Sequence, residues 1–306
     1  DTVLKMFLNM FANEHAFILF ALAAAVRVNE NQFPKLYELH LEACRVLDIQ
    51  KVPELFVSQN PFFNAGAIGI DEPLIILNSS IVDAMTDDEI LCVLGHELGH
   101  IKSEHMLYHT LFIFLKMLLD NSHRLPFPGI AMTTLLGVYY ALLEWSRKSE
   151  LSCDRAGLLV VQDPEVAIQL EMKLAGGKHI DQMNLGEFMK QAEEYNERGS
   201  MSDNIMKIFN IVNQTHPFAV IRVYELMQWV RSGDYENILR GYYTKQAEQP
   251  LAEDVKEATE SYKKGFKQTF KPLEDMFNDV KENVQKGASE GKNPFDIFDD
   301  WMKKNK

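Results

Sequence analysis

The residues of this chain best suited to chemistry are two histidines four apart with a glutamate directly after the first, His96-Glu97-Leu98-Gly99-His100. On a helix, side chains at i and i+4 share a face, so both imidazoles can reach one zinc ion at roughly 2.0 to 2.1 Å. Glu97 sits beside them, placed to take the proton of a water whose pKa the metal lowers toward about 7, as hydrolysis requires. The bland alternative makes His96 and His100 ordinary, partly buried helix residues and Glu97 a solvated one. A catalytic zinc needs a third protein ligand. A histidine six residues after His100 is missing, because that position is Met106. His105 is one place off and projects about 140° around the helix from His100, which assigns it a structural or surface role. Further on, Glu150 and Asp154 stand four apart and share a face. Glu150 can bind a metal, and Asp154 can accept a hydrogen bond from the outer nitrogen of a ligand histidine. Spacing leaves a second option open, in which both acids pair with Arg147, Lys148 or Arg155 on a solvated face.

These residues need two helices to position them. Thr86 starts the first with a capping box, its hydroxyl accepting from the third backbone amide while Glu89 reaches back, and Asp87 and Asp88 suit the positive helix end. The apolar pattern predicts one helix through Leu98, Ile101, Met106 and Phe112 to about Leu119, then a turn at Asp120 to Arg124 with Pro126 and Pro128. A second helix runs from about Gly129 through Trp145 to Val161. A short link makes the two antiparallel, with His100 and Glu150 each about 25 residues, or about 37 Å, from the tip. That register suits one metal site.

Around this pair the chain reads as mainly α with a small β-sheet, an α+β fold. Phe17 to Val26 is apolar but far short of a membrane span and reads as a buried helix end. Gln32 to Leu47 has helical apolar spacing, with Pro34 able to start the helix. Glu54 to Ser58 and Leu74 to Leu77 read as strands separated by turn formers. After Asp163, helices are expected near Pro164 to Leu174, Leu185 to Tyr195, Met201 to Ile211 and His216 to Ser232. From about Pro250 the composition turns strongly charged, dividing a domain of residues 1–249 from a tail of 250–306. In that tail Val255, Ala258, Tyr262, Phe266, Phe270, Leu273, Phe277, Val280 and Val284 recur every three or four residues, interrupted by Gly265 and Pro272, as in a kinked amphipathic helix.

With 306 residues, 46% hydrophobic and 25% charged, the chain can bury a sizeable core. Its net charge of -13 excludes the clustered basic surface that nucleic-acid binding needs. Cys44, Cys92 and Cys153 are odd in number and far apart, so they read as small buried residues of a reducing compartment. The chain begins at Asp1, which reads as processing or trimming and leaves an export or anchor segment compatible with it. Cytoplasmic or peripheral-membrane placement is the expectation.

Three blocks together resemble the gluzincin peptidases that include the heat-shock protease HtpX and the CAAX prenyl proteases: HELGHIKSEH (His96 to His105), SRKSELSCDRAG (Ser146 to Gly157) and THPFAVIR (Thr215 to Arg222). The resemblance runs in motif order over roughly Gln32 to Leu226. It implies a zinc endopeptidase acting on protein or peptide substrates, with one zinc per chain held by His96, His100 and Glu150 and with Glu97 as general base. It also implies that Asp154 supports a ligand histidine, and that His216 and Arg222 lie on the transition-state side, where a donor offsets the charge growing on the carbonyl oxygen. Asn64-Ala65-Gly66 is similar to the segment with which the family pairs substrate backbone along an edge strand.

Membrane members of that family carry spanning helices, whereas here Leu107 to Leu119 is broken by Lys116 and Leu125 to Trp145 is barely long enough. A soluble or peripheral enzyme is the expectation, with peripheral membrane contact or self-association through the 107–145 hairpin tip or the C-terminal tail. The competing reading is a zinc-stabilised, non-catalytic scaffold or binding module. Glu97 counts against it, since a structural site needs no base.

Overall fold

A computed structural model describes residues 14–106, 108–109, 111–112, 115, 129–198 and 218–243, and for 14–16, 129–141, 143–144 and 196 it describes the backbone. The expected 201–211 helix, His216, the tail of 250–306 and most of the hairpin tip lie outside the described residues. Almost all of the described residues belong to one compact unit, 1–192 with 216–241, which contains every element that positions the site. The remaining residues, 193–215 and 242–306, form a second unit, described only at a helix end and at Tyr242 and Tyr243.

The elements run α1 (Glu14–Ala24), β1 (Ala25–Arg27), α2 (Pro34–Val46), β2 (Glu54–Ser58), β3 (Ala65–Ile68), β4 (Leu74–Asn78) and α3 (Ser79–Ala84). Then come α4 (Asp87–Lys102), α5 (Gly129–Val161), α6 (Pro164–Gly176), α7 (Leu185–Glu197), α8 (Ala219–Arg231) and α9 (Asp234–Leu239). The strands form one mixed sheet in the order β1-β2-β4-β3, with β2 parallel to β4 and both outer strands antiparallel to their neighbours. Side chains alternate across a strand, so each face has its own set of apolar residues. Leu55, Val57, Ile75 and Leu77 face a core shared with α2, α4, α5 and α8, including Ala43, Leu94, Leu98, Leu158 and Trp229. Phe56 and Leu74, with Ile76, face the other way and are covered by α1 through Ile18 and Ala21.

That outer layer corrects the expectation of a buried helix end at Phe17 to Val26. Ala21 is buried, but Phe17, Leu19, Phe20, Leu22 and Val26 are exposed. The physical reason is that the sheet offers one narrow apolar face, and a helix resting on it buries one stripe of its circumference. Among the described residues, no helix is long and apolar enough to cross a membrane.

The cap of α4 is as the sequence predicts: Thr86 Oγ1 accepts from the Glu89 amide at 3.3 Å, and the Glu89 carboxylate accepts from the Thr86 amide at 2.7 Å. Glu89 is buried and takes a second partner, Lys173 of α6, at 2.7 Å, which ties α6 to the start of the α4 helix. The antiparallel pairing of α4 and α5 is set by close approach of their backbones. A Cβ on Gly157 would lie 2.7 Å from the Cys92 carbonyl oxygen, and one on Gly95 would lie 2.9 Å from Val160. Only glycine permits such separations. Further along, Gly99 faces Cys153 and Ala156, and His105 faces Trp145, so the register runs opposite in the two helices.

The expected single helix from Thr86 to about Leu119 is interrupted. Ser103 closes α4 by bonding back to the Gly99 carbonyl, and Glu104 takes a left-handed conformation at φ 53° before helical residues resume at His105. The Glu104 amide bonds back to the Ile101 carbonyl at 3.1 Å, a tighter i to i−3 turn that satisfies the last carbonyls and ends the helix.

Candidate active site

The close α4–α5 packing brings the predicted metal ligands to one point. His96 Nε2 and His100 Nε2 are 3.1 Å apart, and the Glu150 oxygens lie 3.5 Å from the first and 3.4 Å from the second. Donors about 2.05 Å from a tetrahedral centre sit about 3.3 Å from each other, so the separations match the edges of a zinc tetrahedron. The chemistry of the set fits as well, since two imidazole nitrogens and a carboxylate are the donors of catalytic zinc sites. All three residues are buried, Glu150 completely.

Behind His96 stands a buried charge chain. His96 Nδ1 donates to Asp154 Oδ1 at 2.9 Å. Arg222 of α8 donates through Nε to Asp154 Oδ2 at 2.9 Å, contacts Oδ1 with its terminal nitrogen, and reaches Glu171 of α6 at 3.0 Å. Burial favours the neutral form of Asp154, but the Arg222 guanidinium and the His96 hydrogen bond hold the carboxyl well below the usual carboxylate range. Burial alone depresses the His96 imidazole, yet Asp154 and Glu150 outweigh it and raise the group to about 10. A nitrogen held so strongly against a proton by flanking carboxylates is equally suited to a divalent cation.

Glu97, the expected base, is buried on α4 next to the first ligand. Ala65 and Gly66 lie in β3, at the edge of the sheet, with Asn64 directly before it and bonded through its carbonyl to the Asn78 amide. A Cβ on Gly66 would meet nothing within 4 Å. Arg222 bonds to Asp154 and Glu171, whereas His216, expected with it on the transition-state side, lies outside the described residues. All three cysteines are free and buried.

Of the structural and surface roles expected for His105, its position fits the structural one. It is buried, with Nδ1 3.2 Å from His100 Nδ1 and 3.4 Å from Cys153 Sγ. The 140° offset holds only for an unbroken helix, and the turn at Ser103 and Glu104 redirects the ring. Glu171 was missed by sequence reasoning. No spacing signal links it to Arg222, because the two lie on separate helices far apart in the chain.

Two imidazoles from an HExxH helix and a glutamate from the helix antiparallel to it define a class, the metallopeptidases of the HExxH type. The chain belongs to peptidase family M48, whose model matches residues 30–230. It is 36% identical over 233 residues to "Plastoglobule-localized metallopeptidase 48, chloroplastic" of Arabidopsis thaliana, covering 74% of this chain and 66% of that protein. It is 24% identical over 170 residues to "Protease HtpX homolog 2" of Methanosarcina acetivorans, covering 49% and 58%, and 23% identical over 224 residues to the homolog of the same name in Methanosarcina mazei, covering 65% and 74%. The chain thus spans less than two thirds of the length of the first two of these relatives, 66% and 58%. No solved structure matches it.

Proposed function

We propose that this chain is a zinc-dependent endopeptidase that hydrolyses peptide bonds of protein or peptide substrates. The observation that supports it most is the convergence of His96 Nε2, His100 Nε2 and the Glu150 carboxylate within 3.1 to 3.5 Å of one another. His96, His100 and Glu150 hold one zinc, which when bound supplies Lewis acidity to water and to a substrate carbonyl. Glu97 takes the proton from the attacking water and returns it to the nitrogen of the departing amine. Asp154 keeps the proton of His96 on Nδ1, and Arg222 keeps Asp154 ionised and in place. His216 donates to the carbonyl oxygen as charge grows on it. Asn64, Ala65 and Gly66 offer backbone groups to an extended substrate along the β3 edge. Peripheral membrane contact through residues 107–145 or the tail belongs to the same proposal, and co-flotation with phosphatidylcholine vesicles tests it.

Metal analysis and a cleavage assay on an unfolded protein test the catalytic reading. The parent should carry about one zinc per chain and cleave. Glu150→Gln should lose zinc, whereas Glu97→Gln should keep zinc and lose cleavage. Full zinc in Glu150→Gln would remove that residue from the ligand set, and a zinc-loaded parent inert toward every unfolded substrate would leave the scaffold reading.

A further inference from the structure

We propose that His105 is a positioning residue of the metal centre, whose Nδ1 accepts the Nδ1–H of His100 and so fixes the tautomer that presents His100 Nε2 to the ion. The inference rests on the reading that His96, His100 and Glu150 hold zinc. A neutral imidazole carries one proton, on one of its two nitrogens. On His100 the Nε2 atom lies 3.1 Å from His96 Nε2 and 3.4 Å from Glu150, so a proton there would point into the donor set and block it. The proton must therefore sit on Nδ1, on the far side of the ring, where a buried N–H requires an acceptor. His105 Nδ1, 3.2 Å away, is that acceptor.

The surroundings of His105 set its own tautomer. The Cys153 sulfur lies 3.4 Å from the same Nδ1, and a buried thiol has a proton to donate. Two donors thus converge on one bare nitrogen, and the proton of His105 resides on Nε2. The ring is fixed from both helices. It stands edge-on to His100, with centroids 5.1 Å apart at 77°, and edge-on to Trp145 of α5, 5.3 Å apart at 87°. The left-handed Glu104 directly before it gives the chain the bend that this placement needs.

His100, His105 and Cys153 also lie close enough to one another to hold a metal themselves. Loading that trio would use His100 Nδ1, and loading both sites would remove the one N–H proton of the neutral His100 imidazole, leaving no donor for His105. The positioning role and the second metal site therefore exclude each other, and experiment can separate them.

The test compares the parent, His105→Leu, His105→Gln and Glu150→Gln by zinc affinity, using a competing chelator, and by the absorption spectrum of the cobalt(II)-loaded protein. Leucine fills the space without an acceptor, whereas the glutamine amide oxygen supplies one. His105→Leu should bind zinc about 10- to 100-fold more weakly, and His105→Gln should recover most of that loss. At saturation, cobalt(II)-loaded His105→Leu should keep the parent band pattern, because the ligands are unchanged, whereas Glu150→Gln should alter it. His105→Phe, which also lacks an acceptor, replaces the leucine variant if the latter does not fold. Parent affinity in His105→Leu, or equal losses in the leucine and glutamine variants, overturns the proposal and leaves the zinc assignment standing. A cobalt spectrum altered as in Glu150→Gln makes His105 a ligand and overturns it too. A parent that binds no zinc takes the functional reading down with it.

Discussion

His96 and His100 stand one helical turn apart and aim Nε2 at the same point, yet they are backed in opposite ways. Behind His96 is a carboxylate, Asp154, itself held by the Arg222 guanidinium and through it by Glu171. Behind His100 is an uncharged imidazole, His105, beside a thiol. Burial makes the difference consequential. Glu97, Glu150, Asp154 and Glu171 are all buried in this region, so a second carboxylate behind His100 would add another desolvated charge. A neutral acceptor orients the ring without that cost. On the proposed reading, the charged backing strengthens one ligand and the neutral backing positions the other.

The comparison breaks most visibly at Arg222. Replacing it with methionine leaves Asp154 and Glu171 buried without their guanidinium, so denaturant unfolding of the metal-free protein should show a loss of about 3 to 5 kcal/mol. A loss below about 1 kcal/mol would mean that water or another cation reaches these acids. Asp154→Asn sharpens the contrast with a smaller effect. It keeps the shape behind His96 but removes the charge, and zinc affinity by chelator competition should fall about 10- to 100-fold. If Asp154→Asn keeps the parent affinity while Asp154→Ala loses it, orientation rather than charge is what the backing of His96 provides.

The sequence made the two sides of this comparison unequally legible. Glu150 and Asp154 sit at i and i+4 on a helix whose C-terminal end, Val161, coincides with the expectation, so their common face could be read directly. The capping box at Thr86 fixed the start of α4 equally well. His105 could not be placed, because helical spacing assumes continuity, and the left-handed turn at Glu104 changes the direction of everything after it. β1 and β3 escaped notice for a related reason. At three and four residues they are too short for an alternating pattern, and their pairing with β2 and β4 is a tertiary fact. The exposure of Phe17 and Phe20 was hidden because an apolar stretch reports hydrophobicity, not which sides find a partner.

His40 offers the smallest test, as a buried histidine backed by neither arrangement. Its Nε2 donates to the Pro53 carbonyl at 2.9 Å, and its Nδ1 is buried with no hydrogen-bond partner among the described residues. Burial lowers its pKa below the ordinary 6.5, with the Pro53 hydrogen bond opposing in part. Below pH 6.5 the unfolded chain takes up a proton that the native protein resists. The stability tied to a neutral His40 is thus fully present above pH 6.5 and is lost as pH falls toward and through the folded pKa, at no more than about 1.4 kcal/mol per pH unit. Every other ionisable group is common to the parent and to His40→Leu, so the difference between the two proteins isolates this one. The stability advantage of the parent over His40→Leu should be constant from pH 7 to 8 and narrow from pH 6.5 to 5, measured by denaturant unfolding with chelator present. An advantage that stays constant down to pH 5 would show that His40 titrates as it does in the unfolded chain, and that burial behind a single carbonyl bond is too little to keep an imidazole neutral.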